Sequence, residues 1–124
     1  MKIAVYSRKS VSTGRGDSVE NQVEMCRRYI RERIPGGEDA EILVYEDEGF
    51  SGGDLERPQF QRMLARARAG ELSAIVCYRL DRISRRVGDF APLAEELMER
   101  GVSLICIREQ FDTATPMGKA MMYI

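Results

Sequence analysis

Four short apolar runs, each separated from the next by a stretch with helical spacing, constrain this chain more than any other feature. Lys2 to Ser7 carries Ile3, Val5 and Tyr6, and Glu41 to Glu46 carries Ile42, Leu43, Val44 and Tyr45. Ser73 to Tyr78 and Val102 to Ile107 are the third and fourth runs. All have the length of strands and are too short for buried helices. Between the first two, Val19, Val23, Cys26 and Ile30 recur at helical intervals behind a possible N-cap at Ser18, and Pro35-Gly36-Gly37 ends the pattern. Arg57-Pro58 opens a second helix, with proline at a permitted first-turn position; Phe60, Met63, Leu64 and Ala67 are its apolar face and Gly70 closes it. Asp89 is expected to cap a third, with Phe90, Leu93, Ala94, Leu97 and Met98 inward and Gly101 as its stop. Residues 11–17, 47–54 and 108–115 read as loops, and a new helical pattern starts after Pro116. Alternation of this kind predicts a three-layer α/β/α domain with a mainly parallel central sheet of four to five strands, helices lying on both faces.

Composition narrows the function. A chain of 124 residues holds one domain, and 44% hydrophobic with 31% charged residues is ordinary for a soluble one. No apolar run approaches the roughly 18 residues of a membrane span, so no membrane partner is expected. The N-terminus lacks the shape of a signal peptide. Three cysteines without metal-ligand spacing, two of them in apolar runs, read as buried thiols, so the expected compartment is the cytoplasm. Histidine is absent, which excludes an imidazole base and argues against a zinc site. A net charge of −1 argues against a free-standing basic nucleic-acid binder. Yet sixteen of the nineteen basic residues are arginine. A codon or genome preference accounts for such a bias, and so does a need for planar guanidinium forks on phosphate oxygens.

The chemistry gathers where the predicted strands end. Ser7, Arg8 and Ser10 follow the first; Asp47, Ser51 and, at the next helix, Arg57 follow the second; Arg79, Asp81, Arg82 and Arg85 follow the third. In open α/β sheets these ends converge on one crevice. A serine hydroxyl, several guanidiniums and one or two carboxylates suit phosphoryl transfer, with arginines neutralising charge that develops on phosphorus. Asp81 is placed to protonate a leaving alkoxide. Each residue has a plainer reading alone: Arg79 to Arg86 can solvate a helix end, and Ser7 or Ser10 can be a loop hydroxyl. Nucleotide cradles are absent, since neither phosphate-binding glycine motif occurs. The clustered carboxylates of a metal-dependent nuclease are missing as well.

Taken together, Tyr6-Ser7-Arg8-Lys9-Ser10, Ser18-Val19-Glu20-Asn21-Gln22, Asp47-Glu48-Gly49-Phe50-Ser51-Gly52, Arg57-Pro58 and Tyr78-Arg79-Leu80-Asp81-Arg82-Ile83-Ser84-Arg85 resemble the serine recombinases, the resolvase/invertase family. Phe111 to Gly118 is similar to the start of that family's long helix, and the wording is most like the large serine recombinases, the phage integrases and transposon recombinases. The resemblance implies that Ser10 is the nucleophile. The residues alone leave Ser7 and Ser10 open, although strand alternation favours Ser10 by pairing it with Arg8. By the same resemblance Arg8, Arg57, Arg82 and Arg85 contact the phosphate and transition state, and Asp81 is the acid or organiser. Gln22, Ser51 and Arg79 are the expected supporting or DNA contacts.

In that family serine attacks a DNA phosphodiester, giving a 5′-phosphoserine linkage and a free 3′ hydroxyl, and strand exchange and religation follow. The implied partners are double-stranded recombination sites and further copies of the chain, a dimer on DNA and a tetramer in synapsis. No metal, nucleotide or other cofactor is implied. Residues 1–115 are then the catalytic domain and residues 116–124 the beginning of the long helix, so the sequence reads as a fragment that does not recombine DNA alone. The alternative is a non-enzymatic α/β regulatory or anion-binding module.

Overall fold

Ile3, Ala4, Val5 and Tyr6 are all without solvent exposure, so the first strand is covered on both faces and flanked on both edges. In a computed structural model, which describes residues 1–9, 19–48, 57–79 and 87–113, this strand is β1 (Lys2–Lys9). It is followed by α1 (Val19–Arg33), β2 (Glu41–Glu48), α2 (Pro58–Arg68), β3 (Ala74–Cys77), α3 (Val87–Glu99), β4 (Ser103–Cys106) and β5 (Phe111–Asp112). The sheet order is β2-β1-β3-β4-β5. Its first four strands are parallel, and β5 returns antiparallel to β4.

The order explains the layers. The chain steps from β1 to β2 in one direction, then crosses back over β1 to reach β3 and β4. Crossovers of one hand that run in opposite directions put their helices on opposite faces. Accordingly α1 lies on one face, where Val23, Cys26 and Ile30 pack with Ile3, Val5, Val76 and Ile105. On the other face α2 and α3 bring Phe60, Met63, Leu64, Leu93 and Leu97 against Ala4, Tyr6, Ile75 and Leu104. The reversal falls between β1 and β3, where the carboxyl ends of neighbouring strands part and leave room for a ligand.

Several boundaries differ from the sequence expectation. β1 and β2 each run two residues further, because Arg8 pairs with Asp47 and Lys9 with Glu48 in continuing parallel register. Asp47 is therefore a strand residue and not the start of a loop. Helix α3 begins at Val87, which puts Asp89 inside the first turn instead of at the cap. The polar stretch after β4 is not all loop. Gln110 adopts a left-handed φ of 56°, the chain reverses, and Phe111 is buried as β5 begins. Thr113 closes the return, its Oγ1 accepting from the Leu104 N–H at 2.9 Å. At the end of α3, Gly101 takes a φ of 76° so that the N–H groups of Gly101 and Val102 bond back to Met98 and Leu97. The expected helix after Pro116 lies outside the described residues.

Candidate active site

Strand alternation divides the end of β1 between the two faces. Tyr6 and Arg8 share the side covered by α2 and α3, whereas Ser7 falls with Val5 on the side covered by α1. Ser7 is 1% exposed, and its Oγ has no hydrogen-bond partner among the described residues. The structure thus separates Ser7 from the arginine side of the sheet. Ser10, Ser51, Asp81, Arg82 and Arg85 lie outside the described residues.

Arg57 is the centre of what is described. It is fully buried, with an extended backbone directly before α2. An unsupported buried guanidinium is strongly unfavourable. Here Nη1 donates to the Tyr6 hydroxyl at 3.0 Å, and the guanidinium carbon stands 5.3 Å from the Tyr6 ring centroid and 4.9 Å from that of Phe60. The two rings meet edge to face at 5.1 Å, so the cation rests on a packed aromatic pair.

Asp47 organises the neighbouring donors. Its Oδ2 accepts from the Tyr6 hydroxyl at 2.8 Å and from the Phe60 N–H at 3.0 Å, and its Oδ1 accepts from the Gln59 N–H at 3.1 Å. Those N–H groups are orphan donors of the first turn of α2, to which Arg57 gives no side-chain cap. A carboxylate on β2 therefore caps α2. Burial pushes the Tyr6 hydroxyl well above the ordinary tyrosine value, opposed by the Arg57 charge and reinforced by its bond to Asp47. Tyr6 consequently remains a donor to Asp47 at any physiological pH.

Arg8, 2% exposed, lies opposite Asp47 in the strand register, and its charge is felt at Tyr6. Arg8, Asp47, Tyr6 and Arg57 thus gather at the carboxyl edge of β1 and β2. Two further candidates stand apart from them. Gln22 is buried, at 3% exposure, but belongs to α1 on the opposite face. Arg79 follows β3 with its guanidinium 5.9 Å from the ring centroid of its neighbour Tyr78, which packs on the α1 side. In the sequence Tyr6 opens the motif that runs to Ser10 but reads only as a core strand residue, and its distant partners alone reveal the hydroxyl's role. Among the described residues no group of three or more His, Cys, Asp or Glu is placed to hold a metal ion, and no helix is long and apolar enough to cross a membrane.

A cationic, aromatic-backed site at the edge of such a sheet agrees with what the chain is similar to. Residues 3–124 match the family described as the resolvase N-terminal domain. A putative DNA recombinase of Bacillus subtilis (strain 168) is 34% identical over 111 residues, covering 88% of this chain and 21% of that protein. The DNA-invertase of Enterobacteria phage P7 is 33% identical over 82 residues, 66% of this chain and 42% of the invertase. The chain therefore spans a fifth to two fifths of the length of these relatives. In three dimensions it is similar to the N-terminal catalytic domain of TP901-1 integrase, with a TM-score of 0.83, 29% identity, and coverage of 98% of this chain and 88% of the other. The chain belongs to the resolvase N-terminal catalytic domain family of site-specific serine recombinases.

Proposed function

We propose that this chain is the catalytic domain of a longer site-specific DNA recombinase in which Ser10 is the nucleophile. The Ser10 hydroxyl gives up its proton as its oxygen attacks a phosphodiester phosphorus, and the bond to the 3′ oxygen breaks. That oxygen leaves as a hydroxyl after taking one proton in balance, with Asp81 the candidate donor. The products are a 5′-phosphoserine linkage and a free 3′ hydroxyl. Religation is the reverse attack by a 3′ hydroxyl. One ester replaces another at each step, so no nucleotide hydrolysis has to drive the reaction.

The observation that carries this reading is the one-sided gathering of Arg8 and Arg57 at the end of β1, with Ser7 on the opposite face. Arg8 and Arg57 supply fixed positive charge to the phosphate oxygens, and Arg82 and Arg85 add to it from beyond β3. Preset guanidiniums stabilise the charge that grows on those oxygens in the transition state. Gln22, Ser51 and Arg79 serve DNA binding, and the acting unit is an oligomer on paired double-stranded sites. The cytoplasm is the compartment in which such substrates are met.

The test uses a nicked duplex that traps the covalent intermediate. In the complete protein, Ser10→Ala abolishes the protein–DNA adduct while DNA binding stays nearly intact, and Ser7→Ala retains cleavage. An adduct that survives Ser10→Ala but disappears in Ser7→Ala reverses the assignment. A wild-type protein that binds DNA and never forms an adduct is instead an anion-binding module.

A further inference from the structure

The Tyr6 hydroxyl is engaged from two directions. It has one proton, which goes to Asp47 Oδ2 at 2.8 Å, and its lone pairs are thereby turned toward Arg57 Nη1 at 3.0 Å. The same Asp47 carboxylate binds the N–H groups of Gln59 and Phe60, the residues that follow Arg57 and Pro58. Arg57 is thus held twice from one anchor, through its side chain by way of Tyr6 and through its backbone by way of the first turn of α2. The Tyr6 hydroxyl is taken up on both sides by Asp47 and Arg57, so its part in the site is played through Arg57.

We infer that Tyr6 and Asp47 are positioning residues that aim the Arg57 guanidinium, an inference that rests on Arg57 being a phosphate contact. A planar fork must meet phosphate oxygens at a set angle, and the guanidinium can pivot on its long side chain. The flat faces of Tyr6 and Phe60 restrict tilt, and the hydroxyl fixes rotation within the plane. Asp47 determines which way that hydroxyl points. The charge that reaches the substrate is Arg57's; its direction comes from β1 and β2.

The experiment is a double-variant cycle in the complete protein, read as the rate of adduct formation on nicked duplex, with DNA affinity and thermal midpoint measured alongside. Tyr6→Phe keeps the ring and removes one oxygen, while Arg57→Lys keeps the charge and removes the fork. Tyr6→Phe is expected to slow adduct formation about ten- to a hundredfold, the scale of a small misplacement of a reacting group. DNA affinity is expected to change by less than about twofold, since the charge count is unaltered. In the Arg57→Lys background the same change is expected to add almost nothing, because residues acting through one group are not additive. A residue that only supports the fold would slow both backgrounds by one factor.

Wild-type rate in Tyr6→Phe overturns the inference, and so does equal slowing in the two backgrounds. Should Tyr6→Phe fail to fold, Asp47→Asn, which removes the charge that orients the tyrosine proton, takes its place in the cycle with the same outcomes. Wild-type rates in both Arg57→Lys and Arg57→Ala would overturn the reading of Arg57 as a phosphate contact, and the inference with it. Slow Arg57 variants beside a fast Tyr6→Phe leave that reading standing and remove only the positioning role.

Discussion

Gly37 occupies a place where no side chain fits. A Cβ built there would lie 1.9 Å from the Ile30 carbonyl oxygen and 2.8 Å from its carbonyl carbon, both backbone atoms. Neither can rotate away, so Gly37→Ala has to move the end of α1 or the turn after it. Overpacking of this kind costs about 1–3 kcal/mol, and urea denaturation is expected to show that loss with an unchanged slope. Sequence could mark Pro35-Gly36-Gly37 as a helix stop, but which glycine is indispensable depends on a contact made after folding. The same limit applies at the site. Arg8 and Arg57 are visible as arginines beside strand ends, a pattern with a chemical reason. That Arg57 is fully buried, stacked on Tyr6 and Phe60 and steered by Asp47, is a matter of tertiary contacts that no local spacing encodes.

Helices α2 and α3 lie side by side on one face and are joined at their solvent side by a charged cluster. Arg68 donates Nε to Glu96 Oε2 at 2.8 Å and Nη2 to Oε1 at 3.1 Å. Arg100 donates Nε to Glu96 at 3.3 Å and Nη1 to the Arg68 carbonyl oxygen at 3.1 Å. These groups are solvent-exposed, so water and salt weaken the pairing, and Glu96→Gln is expected to cost less than about 1 kcal/mol. The hydrogen bonds from Arg68 hold the Glu96 carboxyl below its ordinary value. Its contribution is therefore present above pH 4.5, the ordinary glutamate value, and disappears as pH falls through the lowered one. Denaturation at low and high salt checks this, the difference from wild type vanishing at high salt. The apolar faces of these helices were legible because a period near 3.6 survives in the letters: Phe60, Met63, Leu64 and Ala67 are all buried. Ends were less legible. Asp89 has the chemistry of a cap yet lies within α3, and β5 is only two residues long, too brief to show a period.

At the scale of the molecule, burial helps the described residues Cys26, Cys77, Tyr6 and Tyr29 to keep their protons. Burial pushes the Cys26 thiol from 9.0 up to about 12. The bond to Cys106, whose sulfur is 3.3 Å away, together with burial raises Cys77 well above 9.0, and Tyr6 is raised as well. A folded-state pKa above the unfolded one gives stability that is complete below the unfolded value and lost as pH rises through the folded one. The urea midpoint is therefore expected to hold at neutral pH and fall from about pH 9 upward. Cys26→Ala is expected to flatten part of that fall, as the thiol's proton no longer differs between states. Sequence gave notice of buried thiols but not of their depth, since Cys77 and Cys106 become neighbours only through the register of β3 and β4.

The inner place of β1 has a consequence for the order in which the protein is made. Its residues leave the ribosome before those of the strands it pairs with, and β2 can join one edge once Glu48 has emerged. The other edge waits for Ala74 to Cys77, which pair with Ile3 to Tyr6. Until then a strand that is apolar on both sides carries a bare ladder of N–H and C=O groups, the kind of edge that recruits other chains. Closing the sheet at β3 is the step that removes this hazard, and it unites distant parts of the chain and is slow for that reason. β1 thus keeps one edge bare until β3 is made, and a nascent chain stalled before Cys77 presents that edge to other chains.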